Sequence, residues 1–172
     1  GSKTANTSSA ITVNAAGFVK LQLLLPGETA APGTSTGKTG TPTAQTAGTA
    51  FSVTVNSVDA NWNVVSNTDT VGITSSDSST TLPANAALVA GTKVFSVTLR
   101  TAGTQTVTAT DITDGSKTAN TSPAITVNAG VLAKLQLLVP GETAAPDTAG
   151  GKTGTPSAQT AGTAFSITVK AV

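Results

Sequence analysis

The chain has 172 residues, of which 10% are charged, and its formal net charge at pH 7 is +1. This near-neutral balance gives neither the basic surface of a nucleic-acid-binding protein nor an acidic tail. Cys and His are absent, which excludes disulfide bonds, metal sites built on thiolate or imidazole, and catalytic nucleophiles that depend on either residue. No apolar run, including that at 23–25, is long enough to span a membrane. We therefore expect neither an enzyme nor a membrane-spanning segment.

The two ends of the chain carry the same segment. Residues 1–58 and 115–172 align without a gap at a spacing of 114 residues, and 45 of 58 aligned positions are identical. This spacing is that of a whole domain, because one turn of a stacked solenoid takes only about 20–50 residues. We predict one complete domain at 15–128. Residues 1–14 would be the last strand of a preceding repeat, and residues 129–172 the first strands of the following one.

Short linkers at 14–17 and 128–130 would join these domains. They are too short for free swivelling, so we expect a semi-rigid rod in which the partners of each domain are neighbouring identical repeats. An isolated chain would carry unpaired strand edges at both partial ends, and such edges are a route to strand exchange or association.

The complete repeat has the pattern of a series of short strands. Thr supplies 35 of the 172 residues, and β-branched side chains favour sheets. Apolar residues alternate with Thr and Ser at period two, as in antiparallel sheets with one solvated face. About seven such strands, separated by turns, predict an all-β, two-sheet antiparallel sandwich with almost no helix. The clearest alternations are at Leu21, Leu23 and Leu25, at Phe51, Val53 and Val55, and at Phe95, Val97 and Leu99.

Several sequence blocks follow one another in the order of a known group. They are 46–55 (TAGTAFSVTV), 59–65 (DANWNVV), 71–77 (VGITSSD) and 95–111 (FSVTLRTAGTQTVTATD). Together they resemble the bacterial immunoglobulin-like repeats that stand in tandem in large secreted or surface proteins, often adhesins. The resemblance covers roughly 46–128. It implies an immunoglobulin-like sandwich with seven strands, A to G, at about 18–27, 50–58, 62–66, 70–75, 93–100, 104–111 and 117–128.

Residues 28–45, rich in Thr, Gly, Pro and Ala, depart from this family pattern as an insertion between strands A and B. A loop of this length without secondary structure is uncommon in a compact domain. Four interpretations are open: an extra edge strand near 41–46, a contact between neighbouring rods, a carrier of O-linked sugar on Thr, or a flexible loop. The Gly-Lys-Thr at 37–39 lacks the earlier Gly of a phosphate-binding loop, since position 32 is Pro, and is interpreted as solvated.

Two acidic turns are candidates for a calcium site. Asp59, Asn61 and Asn63 have the D-x-N-x-N spacing of calcium loops, and Asp111 and Asp114 flank another turn. The resemblance places the B–C and F–G loops at the same end of the sandwich. Five oxygen-bearing side chains would converge there on Ca²⁺, which takes six to eight oxygen ligands, and the ion would stiffen the junction with the incoming linker. The alternative is that Asp and Asn are turn residues that bond their own backbone.

Trp62, the single Trp of the chain, lies in the predicted B–C turn. An aromatic side chain in a loop is a candidate for ligand binding by stacking on a sugar. The alternative is that its ring packs against its own domain or a neighbouring one.

The predicted function is a non-enzymatic structural module of a long extracellular bacterial stalk, adhesin or filament, located outside the cell or on its surface. Repetition would supply length, stiffness and valency. One alternative is an immunoglobulin-like module that binds a glycan or a surface receptor through its loops or the 28–45 insertion. Another is a subunit that self-associates into a fibre or sheath. No cofactor is expected apart from calcium at the junction.

Overall fold

The computed structural model of the chain describes residues 1–146 and 148–172. Within those residues it contains strands, turns and irregular segments but no helix. The strands found there are β1 (Lys20–Leu24), β2 (Glu28–Ala30), β3 (Lys38–Gly40), β4 (Gln45–Thr46), β5 (Ala50–Val58), β6 (Thr70–Ser75), β7 (Ala86–Ala87), β8 (Thr92–Thr98), β9 (Gly103–Gln105), β10 (Val107–Asp111), β11 (Asn120–Thr121), β12 (Ile125–Asn128), β13 (Leu135–Leu138), β14 (Glu142–Ala144), β15 (Lys152–Gly154) and β16 (Thr168–Ala171).

Three strands form the first layer of the complete repeat. β5 lies in the centre, with β1 and β8 antiparallel on either side of it. Side chains of a strand point alternately to opposite faces, so the alternating sequence of β5 gives it one apolar face. Phe51, Val53 and Val55 are accordingly buried, whereas Ser52 between them is exposed.

The second layer is built around β10. β10 pairs antiparallel with β6 and β11, and β7 adds to the free side of β6. Only Thr106 separates β10 from β9, and β9 pairs antiparallel with β12, which β4 joins in parallel register. The second layer therefore consists of two short sheets, one containing β10 and β11 and the other containing β9 and β12. The chain runs from one sheet into the other between β9 and β10 and again between β11 and β12.

A parallel contact joins the edges of the two layers. The NH of Leu21 in β1 donates to the carbonyl of Thr118 at 2.9 Å, and the NH of Thr118 donates to the carbonyl of Val19 at 3.2 Å. Lys20 and Thr118 thereby form an isolated parallel bridge. The first and last strands of the repeat are thus neighbours.

The two layers enclose one apolar core, which confirms the predicted all-β sandwich. Apolar side chains of both layers bury themselves there because their removal from water contributes about 25 cal/mol per Å² of apolar surface. The members of this cluster are Leu21, Leu23, Leu25, Phe51, Val53, Val55, Val71, Ile73, Leu88, Phe95, Val97, Leu99, Val107, Ala109, Ile125 and Val127.

The structure corrects the predicted strands C and D. No strand forms at 62–66, where the pairing is limited to an isolated bridge between Val58 and Val64. The carboxylate of Asp59 binds the NH of Asn63 in this segment, so that this NH does not contribute to a ladder. The segment predicted as D does form, as β6, but it pairs with β10. β6 therefore takes the position of strand C of the sandwich and not that of strand D.

The remaining predicted strands are present. β5 has the bounds predicted for strand B, and those of β8 lie within two residues of the range predicted for E. β1 lies inside the range predicted for A but is shorter by two residues at its start and three at its end. Strand F is divided into β9 and β10, and strand G into β11 and β12. Residues 1–14 form no strand and are exposed. The proposed division of the chain at 14 and 128 therefore stays a prediction.

The insertion at 28–45 is a hairpin followed by an edge strand, and not a structureless loop. β2 and β3 pair antiparallel, and β4 supplies the extra edge strand at 45–46. Gly27 and Gly40 lie at the open end of the hairpin with φ of 91° and 85°. A Cβ on Gly40 would collide with the carbonyl of Gly27, so the two chain segments approach each other only because side chains are absent there.

The second copy of the repeated segment folds in the same register as the first. β13 pairs with β16 as β1 pairs with β5, so that Leu137 faces Val169 where Leu23 faces Val55. The hairpin of β14 and β15 likewise repeats that of β2 and β3. The surroundings of the two copies differ, so the register is specified by the segment itself.

Candidate functional site

The turn that follows β5 contacts Ala16, in the segment predicted to be the incoming linker. Asp59 in this turn is 1% exposed. Its Oδ1 accepts hydrogen bonds from the NH of Asn61 at 2.8 Å and of Asn63 at 2.9 Å, which makes a tight Asx-type turn. Its Oδ2 accepts the side-chain amide of Asn63 at 3.0 Å and the NH of Ala16 at 2.9 Å. One carboxylate therefore shapes the turn at 59–63 and also holds the linker.

The donors around Asp59 favour its ionised form. The side-chain amide of Asn63 has the largest effect and the NH of Ala16 the next. Together with the NH groups of Asn63 and Asn61 they lower the pKa of Asp59 to about 2, although burial acts in the opposite direction. At neutral pH the turn thus contains a negative charge that is fully engaged by hydrogen-bond donors.

Trp62 packs on the insertion hairpin. Its side chain is half-buried and its φ is 69°, a conformation that costs a bulky residue on the order of 1–3 kcal/mol. A Cβ on Gly37 would overlap the indole ring, so the ring lies directly against the backbone of the hairpin. The NH of Gly33 also donates to the carbonyl of Asn61 at 2.8 Å. These contacts hold Trp62 in its strained conformation.

Lys20 connects the same turn to the start of β1. Its Nζ lies 3.5 Å from the centroid of the Trp62 ring, which is a cation–π contact, and donates to the carbonyl of Ala60 at 3.0 Å. An ammonium group therefore covers one face of the indole. The role of Trp62 in sugar binding stays a prediction, and a sugar would have to displace Lys20 to reach that face.

A buried chain of amides attaches the hairpin to the outer face of the first layer. Gln22 donates to the carbonyl of Gly37 at 2.7 Å and accepts from the amide of Asn56 at 2.9 Å. Asn56 in turn accepts from the hydroxyl of Thr92 at 3.0 Å. Gln22 and Asn56 are nearly inaccessible to water, so the hairpin supplies a partner that a buried amide needs. This network was not predicted from the sequence, although an amide within each of two largely apolar strands was a signal for it.

Asp111 and Asp114 shape a second turn. Oδ1 of Asp111 accepts the NH groups of Thr113 and Asp114, at 2.9 and 3.0 Å, while its buried Oδ2 has no partner among the described residues. Asp114 accepts the NH of Ser116 at 2.9 Å and forms an ion pair with Lys117 at 3.2 Å. Hydrogen bonds from Ser116, followed by Lys117, lower the pKa of Asp114 to about 2.

The five candidate calcium ligands are thus divided between two turns. The structure brings Asp59 together with Asn63, and Asp111 together with Asp114, through the hydrogen bonds of each turn. In the part of the chain that the structure describes, no group of three or more Asp, Glu, His or Cys side chains is placed to hold a metal ion. The carboxylates accept backbone NH groups of their turns, as the alternative interpretation of Asp and Asn as turn residues predicts. Calcium at the junction stays a prediction.

Asp77 is a buried carboxylate whose role the sequence analysis did not identify. It is 4% exposed, and its Oδ2 accepts the NH groups of Arg100 and Thr101 at 2.6 and 2.9 Å, while Oδ1 accepts the NH of Ser79 at 3.0 Å. Burial acts to raise the pKa of Asp77, but these NH groups together outweigh it and lower the pKa. Asp77 therefore ties the turn after β6 to the end of β8. An Asp two residues before a Ser in a polar run was the available turn signal.

A cleft of about 780 Å³ lies between the complete repeat and the second copy. Among its walls are Ala47 from the first unit and Lys134 and Gly151 from the second. Lys134 and Gly151 correspond, 114 positions on, to Lys20 and Gly37, the residues that contact Trp62 in the complete repeat. In the first copy, the turn at 59–63 packs on Lys20 and Gly37. The cleft borders the corresponding residues of the second copy, and no ligand is proposed for it.

No family model matches the chain, and no curated protein matches it. Among solved structures, the chain is similar to surface layer protein SbsC, domains 1–6, with 20% sequence identity and a TM-score of 0.42. The match covers 84% of this chain but only 18% of that one. No helix in the described residues is long and apolar enough to span a membrane. The function of this chain has to be inferred from its own residues.

Proposed function

We propose that the chain is part of a tandem array of β-sandwich domains with a structural, non-enzymatic role at the cell surface or outside the cell. The observation that carries this proposal is a difference in burial between the two copies of one segment. Leu23 and Val55 are fully buried in the first copy, whereas their counterparts Leu137 and Val169 are 49% and 57% exposed. The same contrast is found for the pairs Leu21 and Leu135, Phe51 and Phe165, and Val53 and Ile167.

The exposed face of the second copy has the pattern of one half of a sandwich. In the complete repeat the corresponding side chains pack against the layer of β6, β10 and β12. Burying a Leu, Val or Phe side chain contributes about 1.5–3 kcal/mol. An apolar face with this composition is therefore stabilised by a second layer of its own, which a further repeat of the same sequence would supply.

The connection between the units supports a rod. β12 ends at Asn128, whose carbonyl accepts the NH of Ala47 at 2.8 Å. Only residues 129–134 separate it from β13. The outgoing linker is therefore held at its start by the unit it leaves. A chain fixed in this way transmits the orientation of one domain to the next, because a short linker restricts the available angles.

Asp59, Asp77 and Asp114 each accept a backbone NH of their own turn, which is a structural use of acidic side chains. The cell-surface location is inferred from the resemblance of residues 46–128 to bacterial immunoglobulin-like repeats. Neighbouring copies of the repeat are the proposed partners.

Electron microscopy of a protein with two, four and six repeats tests this proposal. We expect narrow rods whose length increases in proportion to the number of repeats, by an equal amount for each added repeat. A compact particle, whose diameter grows only slowly as repeats are added, would contradict it. The single repeat at 15–128 is the reference for the length of one unit.

A further inference from the structure

We propose that the turn at 59–63 is a clamp that fixes the incoming linker to each domain and so sets the direction in which the preceding repeat leaves. The consequence for the array rests on the proposed function, whereas the clamp itself concerns contacts within one unit. The contact that defines it is the hydrogen bond from the NH of Ala16 to the buried carboxylate of Asp59, at 2.9 Å.

The linker is held at more than this point. Three residues after Ala16, the NH of Val19 donates to the carbonyl of Val58 at 3.0 Å, and the carbonyl of Val19 accepts the NH of Thr118 at 3.2 Å. Two attachments three residues apart, at Ala16 and at Val19, fix both the position and the direction of the entering chain. Without the bond at Ala16, the backbone attachment at Val19 and the packing of Phe18 on the core would remain, and the segment before Phe18 would pivot about them.

The clamp is braced by the insertion hairpin. The ring of Trp62 rests on Gly37, and the NH of Gly33 donates to the carbonyl of Asn61. Lys20 adds a cation–π contact to Trp62 from the start of β1. This gives the insertion at 28–45 a role: it supports the turn that holds the linker. The positive φ of Trp62 is maintained by this support, as expected for strain at a functional turn.

The clamp recognises backbone and not side chain at the linker. Residues 16–19 and their counterparts 130–133 differ at every position, although the flanking segments are nearly identical. A bond to a backbone NH tolerates such changes, since every residue except Pro carries that donor. Gly130, the counterpart of Ala16, donates no hydrogen bond in the described part of the chain, and residues 1–172 do not include the position that corresponds to Asp59 in the next copy. Within these residues, Gly130 therefore serves as an unclamped reference for Ala16.

Amide exchange and ¹⁵N relaxation on the full 172-residue chain test the clamp. In the wild type we expect the Ala16 amide to exchange at least about tenfold more slowly than that of Gly130, relative to their unfolded rates, because a hydrogen bond to a carboxylate contributes about 1.5–3 kcal/mol. Order parameters at residues 15–17 should be those of rigid backbone, about 0.85. Equal exchange of the two amides in the wild type would overturn the proposal without recourse to any variant.

Asp59→Asn is the decisive variant. Asn has a single acceptor oxygen, so the amide cannot serve both the turn and the NH of Ala16. We expect Ala16 to lose its protection and residues 15–17 to fall to order parameters below about 0.6, while the amides of Leu23 and Val53 stay protected. Asp69→Asn removes the same charge from another turn and should change none of these values. Unchanged exchange at Ala16 in Asp59→Asn would overturn the clamp.

The proposed clamp and the proposed array are contradicted by different results. Rods of proportional length with a mobile Ala16 would retain the array and reject the clamp. Compact particles of many repeats with a protected Ala16 would reject the array and retain the clamp as an internal contact.

Discussion

Glu28 and Lys38 form an ion pair across the insertion hairpin, with 2.9 Å between Oε1 and Nζ, and Glu142 and Lys152 repeat it at 2.7 Å in the second copy. In each hairpin the Glu also accepts a backbone NH, at 3.0 and 3.1 Å, and the Lys donates to a carbonyl of the preceding strand. The side chain of Glu28 is 2% exposed and that of Lys38 is 15% exposed. The pair therefore lies under the hairpin and not on its surface.

Removing one partner should destabilise the complete repeat. We expect Glu28→Ala to lower the free energy of unfolding by about 3 kcal/mol, since it leaves a poorly solvated ammonium group without its counterion. Urea denaturation followed by Trp62 fluorescence measures this value. Lys117→Met is the control, because its ion pair with Asp114 is more accessible, and it should change the free energy less. Equal effects of the two substitutions would contradict this account of the hairpin.

Leu23 and Leu137 provide a matched pair for the core. Leu23→Ala should lower the free energy of unfolding by about 3 kcal/mol, because it leaves a cavity in the closed core. Leu137→Ala should change it by no more than about 0.5 kcal/mol in this chain, since the side chain is half exposed. Urea denaturation of the two variants checks the difference. In a protein that continues through a further complete repeat, Leu137→Ala should become as costly as Leu23→Ala, and a persistently small effect there would count against the array.

Substitutions at Gly37 and Gly33 distinguish the cost of backbone strain from the cost of overlap with Trp62. Both have positive φ, 74° and 80°, but a Cβ would meet the indole ring only at Gly37. Gly33→Ala should cost about 1–2 kcal/mol for the left-handed backbone alone, and Gly37→Ala about 1–3 kcal/mol more for overlap with the ring. Thermal unfolding gives the costs. The emission maximum of Trp62 should shift to the red only in Gly37→Ala, and a shift of equal size in both variants would contradict the packing described.

Stability should fall in acid because of the turn carboxylates. The pKa values of Asp59 and Asp114 are about 2 in the folded chain, and the pKa of Asp77 is also lowered. A lowered folded-state pKa contributes stability at pH values above the unfolded value of about 3.9, and this stability is lost as the pH falls towards the folded value. We expect the melting temperature to decline between about pH 4 and pH 2. Asp59→Asn should show a shallower decline, and superimposable profiles would contradict the assignment.

The strands were predictable from the sequence where side-chain alternation was regular. β5 alternates apolar residues with Ser and Thr at 51–55, and β8 with the residue after it does so at 95–99, and this pattern specifies both the strand and its buried face. The strand at 62–66 failed because a side chain competed with the ladder. An Asp that captures the NH groups two and four residues on outweighs the β-propensity of the two Val residues that follow.

The hairpin and the clamp were not predictable to the same extent. The segment at 28–45 has few apolar residues, so the spacing of apolar residues predicted no secondary structure there. Its order depends on Gly27 and Gly40 meeting without side chains, on a buried ion pair and on the amide of Gln22. These are contacts between residues far apart in sequence. The turn chemistry of Asp59 was visible in the sequence, but its bond to Ala16, 43 residues earlier, was visible only in the fold.

The parallel contact between β1 and residue 118 has a mechanical consequence. Chain ends pulled apart draw β1 and β12 in opposite directions, since the incoming linker precedes one and the outgoing linker follows the other. The hydrogen bonds of Leu21 and Thr118, and those between β4 and β12, then lie across the direction of tension and are loaded together in shear. Sideways peeling would break such bonds singly, whereas lengthwise sliding strains them at the same moment. A string of these units would yield by the abrupt rupture of one domain at a time.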